Sequence, residues 1–201
     1  MATMNTNSPV GSLEWVAIDG EGKLNLNGKP TYTVDVVCTP EEAAPFIKQI
    51  DHFWEENKPK GAKVRKSTGY YDHSIKDDAA SAAEGVNVYK KTGNIVFRFK
   101  TNVEYASGDL KEIKVFNAKG AEISLMGKKI GNGSRGRVGG TIGIYNVNPA
   151  TQGTTLYLNT VQLAKLIEYK DGASFDEIEG GDFEGVDDGM GGLEETSRPR
   201  L

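Results

Sequence analysis

IGNGSRGRVGGTIGIYNV, residues Ile130 to Val147, can be read in two incompatible ways. Gly131-x-Gly133-x-x-Gly136 matches the dinucleotide fingerprint, which works only where a strand precedes it and a helix follows, so that the helix N-terminus meets a pyrophosphate. Here the residues that follow, with Val138, Ile142 and Ile144, alternate as a strand does. The segment therefore belongs to a β protein, and nucleotide binding through the glycines is not expected. Two uses of the glycines remain open. They serve a bulge or sharp barrel bend, or they admit a nucleic-acid backbone close to Lys128, Lys129, Arg135 and Arg137.

Working outward, the neighbours carry the same β signature. In TYTVDVVC, residues 31–38, Tyr32, Val34, Val36 and Cys38 share one face. A first strand is expected over Ser12–Ile18. Val86–Lys90 and Ile95–Thr101 are expected to form a hairpin about Lys91-Thr92-Gly93-Asn94, and Val115–Ile123 another about Ala118-Lys119-Gly120. After a turn over Pro149–Gly153, Thr154 to Tyr169 closes the body as a strand that runs into a bend. One helix interrupts the series: Thr39 is its N-cap, Pro40 its first residue and Glu42 completes a capping box. Ala43, Phe46, Ile47, Ile50, Phe53 and Trp54 then follow helical spacing to Asn57, with Pro45 expected to make the start irregular. Residues 58–85 show no sustained period and read as a long loop. Short strands, turn punctuation and one main helix predict a mainly β fold, an OB-fold Greek-key barrel. Residues 1–11 are expected to be disordered, 12–170 to form the barrel, and 171–201 to be an acidic, Gly-rich flexible tail.

Charge separates the last two parts. The 201-residue chain carries a formal net charge of −4. From Asp171 onward there are 10 Asp and Glu against 2 Arg, whereas the remainder holds 22 Lys and Arg against 18 acids. A basic body with an acidic appendage suggests a polyanion-binding domain and a tail that competes for the same surface. Within the tail Phe175, Ile178, Phe183, Val186, Met190 and Leu193 place a lone apolar residue every few acids, spacing that suits a short docking peptide, and Phe175, Phe183 and Leu201 are its docking candidates. About 30 flexible residues spread over roughly 30 Å, enough to cross a small barrel.

In the body, cations are interleaved with aromatic rings. A single-strand binder needs cations for phosphates and flat rings for bases, because every base has a π-face. The phosphate-binding candidates are Lys58, Lys60, Lys63, Arg65 and Lys66 in the 58–66 loop, Lys90, Lys91, Arg98 and Lys100 in the 90–100 hairpin, and Lys128, Lys129, Arg135 and Arg137. Tyr70, Tyr71, Tyr89 and Tyr105 are the stacking candidates. Phe97 and Phe99 are assigned to the core, and many of the lysines are equally compatible with plain solvated surface.

Other chemistries find little support. A single cysteine, Cys38, excludes an intrachain disulfide framework, and His52 and His73 lack partners at metal-ligand spacing. No metal, cofactor or membrane segment is expected. Asp77-Asp78 and Asp109 could be a hydrolytic carboxylate pair, but nothing orients them. The alternatives to DNA binding are an interaction or assembly module with an acidic docking tail, and an OB-fold nuclease.

Ile130–Val147 and GTTLYLNTVQLAKLIEY, Gly153–Tyr169, followed by an acidic tail, resemble bacteriophage single-stranded-DNA-binding proteins of the OB-fold replication type. The resemblance implies sequence-independent binding of single strands in phage DNA replication and recombination, without catalysis and in the host cytoplasm. It implies tail contacts to replisome proteins such as the polymerase, helicase or primase, and a monomer or a homodimer in which one tail covers the other groove. One departure stands out. Tails of similar proteins finish with acids and an aromatic residue, whereas this chain finishes Arg198-Pro199-Arg200-Leu201.

Overall fold

The computed structural model describes residues 2–169, apart from 26, 63, 64 and 149. Twelve strands and two helices lie among them: β1 (Thr3–Asn7), β2 (Gly11–Ala17), β3 (Lys23–Leu24), β4 (Pro30–Cys38), α1 (Pro40–Asn57), β5 (Tyr70–Lys76), α2 (Asp78–Glu84), β6 (Tyr89–Asn102), β7 (Lys114–Phe116), β8 (Glu122–Ile123), β9 (Lys129–Ile130), β10 (Ser134–Asn148), β11 (Thr151–Lys165) and β12 (Glu168–Tyr169). Hydrogen bonding runs β2-β4-β6-β11-β10 and returns from β10 to β2, which closes a five-stranded barrel. The β6–β11 seam is parallel, with Leu156 opposite Phe99 and Tyr157 opposite Lys100. A closed, mainly β barrel with this strand order is the expected OB-fold.

Alternation places the core inside it. Leu13, Val34, Val36, Phe97, Phe99, Val138, Ile142, Leu156 and Val161 are fully buried. The helix α1 covers them with Ala43, Phe46, Ile50, Phe53 and Trp54, and the Phe46 ring meets Phe97 edge-on at 4.9 Å. Its capping box forms as the sequence predicts: Thr39 Oγ1 accepts from the Glu42 N–H, and Glu42 Oε2 accepts from the Thr39 N–H. Pro45 does not disturb the start, since the Ala43 N–H already bonds the Thr39 carbonyl and the helix runs unbroken to Asn57.

Three expectations need correction. Residues 2–11, expected within a disordered 1–11 segment, are ordered: β1 pairs with β10 from Thr3 opposite Gly143 to Asn7 opposite Gly139, and β2 begins at Gly11. The buried Ser8 joins the two, its N–H bonding the Val138 carbonyl and its Oγ accepting from the Val138 N–H. These small polar residues have little strand signal of their own, and the edge of β10 supplies their partners. Second, the 58–85 loop contains β5 and α2. Third, Lys91-Thr92-Gly93-Asn94 is no hairpin turn, because β6 continues through it. β5 pairs Asp72 with Ile95 and Ser74 with Lys91, so three residues of β6 oppose one of β5 and the turn-like residues make a bulge. The short α2 beside the main helix α1 has the Asp77 side chain accepting from the Ala80 N–H and Gly85 closing it at φ +70°.

The glycines of β10 are explained by close approach. A β-carbon on Gly136 would collide with the Gln162 carbonyl, and one on Gly140 with the Tyr157 carbonyl and, at 2.9 Å, the Phe99 ring. The β10–β11 register shifts beside both. These two positions serve the barrel bend.

Candidate nucleic-acid interface

While Phe97 and Phe99 face the core, Val96, Arg98 and Lys100 face outward. Register extends that outer face across the barrel: Thr33 lies opposite Lys100 and Lys100 opposite Tyr157; Asp35 lies opposite Arg98; Val37 lies opposite Val96 and Val96 opposite Tyr71. Residues scattered from 33 to 157 in the sequence thus share one surface.

At its centre Asp35 is almost wholly buried, 3% exposed. It is compensated from above. Arg98 Nε donates to Asp35 Oδ1 at 2.7 Å and Nη2 to Oδ2 at 2.6 Å, and the Tyr71 hydroxyl donates to Oδ2 at 3.1 Å. The guanidinium lies 5.3 Å from the Tyr71 ring centre. Hydrogen bonding to Asp35 raises the Arg98 pKa further, while burial, followed by the Asp35 charge, raises that of Tyr71. Arg98 is half exposed and keeps N–H donors toward solvent, because Asp35 occupies only two of its five.

Beside this pair opens a concave groove of about 640 Å³, lined by Lys66 to Tyr71, Arg98, Lys100, Tyr145 and Thr154 to Tyr157. It holds three cations and four tyrosines. Lys66 and Lys100 have no acidic partner among the described residues, so their charge faces the groove undiminished. The Tyr157 ring packs over Gly143, where a β-carbon would stand 2.6 Å from it. Gly143 therefore makes room for the ring of a groove residue.

The sequence candidates fare differently from one another. The structure brings Lys66, Tyr70, Tyr71, Arg98 and Lys100 together in the groove. Lys60 lines a smaller cleft of about 280 Å³ with Asn146, Asn148 and Gln152 beside the β10–β11 tip. Arg65 is a brace: Nη1 bonds Asp51 at 2.6 Å, Nη2 bonds Thr154 Oγ1 at 2.9 Å, and the guanidinium lies 5.3 Å from the Trp54 ring centre. The Tyr70 hydroxyl joins the same carboxylate at 3.1 Å. Both fasten the 65–70 segment to α1, and neither offers its polar group to a ligand. Tyr89, Lys90 and Lys91 lie on the arm formed by β5 and the first half of β6, with Lys91 bonded to Asp72 at 2.6 Å. Tyr105 lies under Lys111, 5.1 Å from its ammonium, outside the groove.

Two of the four cations of the 128–137 segment are paired with acids. Lys128 pairs with Glu168 at 3.1 Å and Arg135 with Glu42 at 3.2 Å, while Arg137 Nε donates to Gln162 at 2.7 Å. Lys129 stands in β9, opposite Tyr169. Lys58 pairs with Glu55. Lys63, Phe175, Phe183 and Leu201 lie outside the described residues.

Sequence reasoning did not single out Tyr145, Tyr157, Trp15 or Lys23. The available signal was parity: in TTLYLNT, Tyr157 takes the outward position between the core residues Leu156 and Leu158. In β2, Trp15 sits in a bulge, since Glu14 pairs with Asp35 but the next pair is Ala17 with Thr33. Lys23 lies 5.5 Å from the centre of its exposed indole.

No protein-family model matches this chain, and no curated protein matches it in sequence. Solved structures do. The chain is similar to gp2.5, a single-stranded DNA binding protein encoded by bacteriophage T7, at 18% identity and a TM-score of 0.59, over 88% of this chain and 100% of that one. It is also similar to the single-stranded DNA-binding protein from bacteriophage Enc34 in complex with ssDNA, at 14% identity and a TM-score of 0.54, over 80% of this chain and 86% of that one. At such identities the likeness is one of fold.

Proposed function

We propose that this chain binds single-stranded DNA without regard to sequence, as a bacteriophage replication and recombination protein acting in the host cytoplasm, and that it performs no catalysis. The observation that carries this reading is the groove between the 66–71 segment and the outer face of β6, β10 and β11, where Lys66, Arg98 and Lys100 stand together with Tyr71, Tyr145 and Tyr157. Cations hold successive phosphates and rings stack the bases between them, an arrangement indifferent to base identity. The fold, shared with two phage single-stranded-DNA-binding proteins, supports it.

The acidic tail from Asp171 competes for the same cations. A covalently attached polyanion acts at high effective concentration, so it masks the groove until DNA displaces it. Once displaced, it is available to replication proteins, with Phe175, Phe183 and Leu201 as its apolar contacts.

The test is titration with poly-dT over a range of salt. With about four phosphate contacts, log affinity falls against log salt with a slope near −3, from roughly −0.7 per contact on single strands. A slope near zero, or no binding, ends the reading. Deletion after Lys170 tightens binding, most at low salt; unchanged or weaker binding removes the competing role of the tail.

A further inference from the structure

Trp15 is held in a conformation that bulky residues avoid. Its φ is +51°, in the left-handed region, which costs a residue with a β-carbon on the order of 1–2 kcal/mol. Three hydrogen bonds enforce it. The Trp15 N–H donates to Asn132 Oδ1 at 2.8 Å, and its carbonyl accepts from Lys23 Nζ at 3.0 Å and Thr33 Oγ1 at 3.4 Å. The result of this strain is an indole 61% exposed on the surface. A glycine there would relieve the backbone, and a polar residue would suit the solvent. The only other tryptophan, Trp54, is buried under Arg65.

The position of Trp15 relates it to the groove. Thr33, which bonds its carbonyl, lies opposite Lys100, and Lys100 lies opposite Tyr157. Ala17, two residues beyond Trp15, lies opposite Thr33, so the β2 bulge that carries Trp15 and the β11 residue Tyr157 flank one row across β2, β4, β6 and β11, three strand spacings or roughly 15 Å long. Lys23, Lys100 and Arg98 lie between or beside them. Burial holds the Lys23 pKa below its usual value, with the charges of Asp35 and Arg98 acting in opposite senses.

Resting on the function proposed above, we propose that Trp15 and Lys23 form a separate nucleotide subsite that extends the binding path beyond the groove: the indole stacks on a base, and the Lys23 ammonium leaves the ring to hold the adjacent phosphate. The ligand class is a single-stranded nucleic acid long enough to cross the β2–β4–β6 face. Flat rings at both ends of a cationic row are what such a strand requires, and the strained bulge is what turns one ring outward.

The two tryptophans make the test direct, since Trp15 is exposed and Trp54 is not. Saturating the full chain with poly-dT quenches the Trp15 emission and leaves that of Trp54. Trp15→Ala loses the quenching and weakens binding on the order of tenfold, with the salt slope unchanged, and Trp15→Phe restores most of the affinity. Trp15→Gly, which relaxes the backbone, binds as weakly as Trp15→Ala while melting no lower than the wild type, which separates the loss of the ring from a loss of folding. Saturable poly-dT binding with unchanged emission, or full affinity in Trp15→Gly, overturns this subsite and leaves the groove intact. Absence of poly-dT binding by the wild-type chain overturns both.

Discussion

Asp35 and Arg98 face each other across β4 and β6 as a register pair, joined by two bonds of 2.7 and 2.6 Å, with the carboxylate buried and the guanidinium half exposed. The asymmetry decides what each partner does. Arg98 can be hydrated if Asp35 is lost. Asp35 cannot be hydrated if Arg98 is lost, and would keep only the Tyr71 hydroxyl. The pair also places a negative charge beneath a groove proposed to receive an anion, so stability and binding pull in opposite directions here.

Asp35→Asn is therefore expected to lower stability by about 1–2 kcal/mol and to tighten poly-dT binding, because the groove gains a net positive charge. Arg98→Met is expected to cost about 3 kcal/mol and to weaken binding. Urea denaturation and a salt titration on both variants check this. Equal stability losses, or tighter binding in Arg98→Met, would contradict the assigned roles.

The two unpaired lysines should behave unlike the paired cations. Lys66→Ala and Lys100→Ala each reduce the salt slope of poly-dT binding by about 0.7, one phosphate contact. Lys128→Ala and Arg135→Ala leave the slope within error, since Glu168 and Glu42 already hold those charges. A change of slope at Lys128 or Arg135 equal to that at Lys100 would relocate the interface to the 128–137 segment.

Gly143→Val places a side chain where Tyr157 now lies, 2.6 Å from its ring at the β-carbon. The ring must leave the sheet, so binding should fall to the level of Tyr157→Ala, several-fold below wild type. The double variant should then be no weaker than either single one, because both remove the same platform. Additive losses in this cycle show that Gly143 acts other than through Tyr157.

Local features of the sequence were legible and distant pairings were not. Thr39 and Glu42 announce their helix because a capping box is written within four residues, and the outward parity of Arg98 against Phe97 and Phe99 follows from alternation alone. The destination of a cation is set by register. Nothing near Arg65 in the sequence reveals Asp51, Thr154 and Trp54 closing around it, and nothing near Arg135 reveals Glu42. Thr3–Asn7 lacks a hydrophobic face and becomes a strand only because β10 offers an edge. The groove itself depends on the parallel β6–β11 seam, which joins residues nearly 60 positions apart, so Tyr157 came to Lys100 only through closure of the barrel.

The capping box offers a local check on α1, the helix that covers the barrel. Thr39→Ala removes the acceptor of the Glu42 N–H and is expected to cost about 1 kcal/mol, read as a lower urea midpoint. The Glu42 carboxyl is held below its usual range first by the Thr39 backbone N–H and then by Arg135. Its contribution is accordingly present at neutral pH and lost as pH falls below the ordinary carboxyl value of 4.5. The Thr39→Ala deficit should stay nearly constant on both sides of that value, because the Glu42 carboxylate bonds the backbone N–H of residue 39, which alanine keeps, and the lost bond to Thr39 Oγ1 does not titrate.

Cys38 closes β4 with its thiol 2% exposed against Gly11. Burial, aided by the charge of Glu42 and opposed by Arg135, pushes its pKa up to about 11. The thiol is thus protonated and shielded at neutral pH, and the thiolate is the species that reacts. Because the folded value lies above the ordinary one of 9.0, this group favours the folded state below pH 9, an advantage lost as pH rises through about 11. At pH 8 an aromatic disulfide reagent should modify Cys38 only as fast as the barrel opens, and at full speed in urea. Reaction at the unfolded rate in buffer would mean that the β2–β4 seam beside the α1 N-terminus opens readily, and that Cys38 is not a core residue in solution.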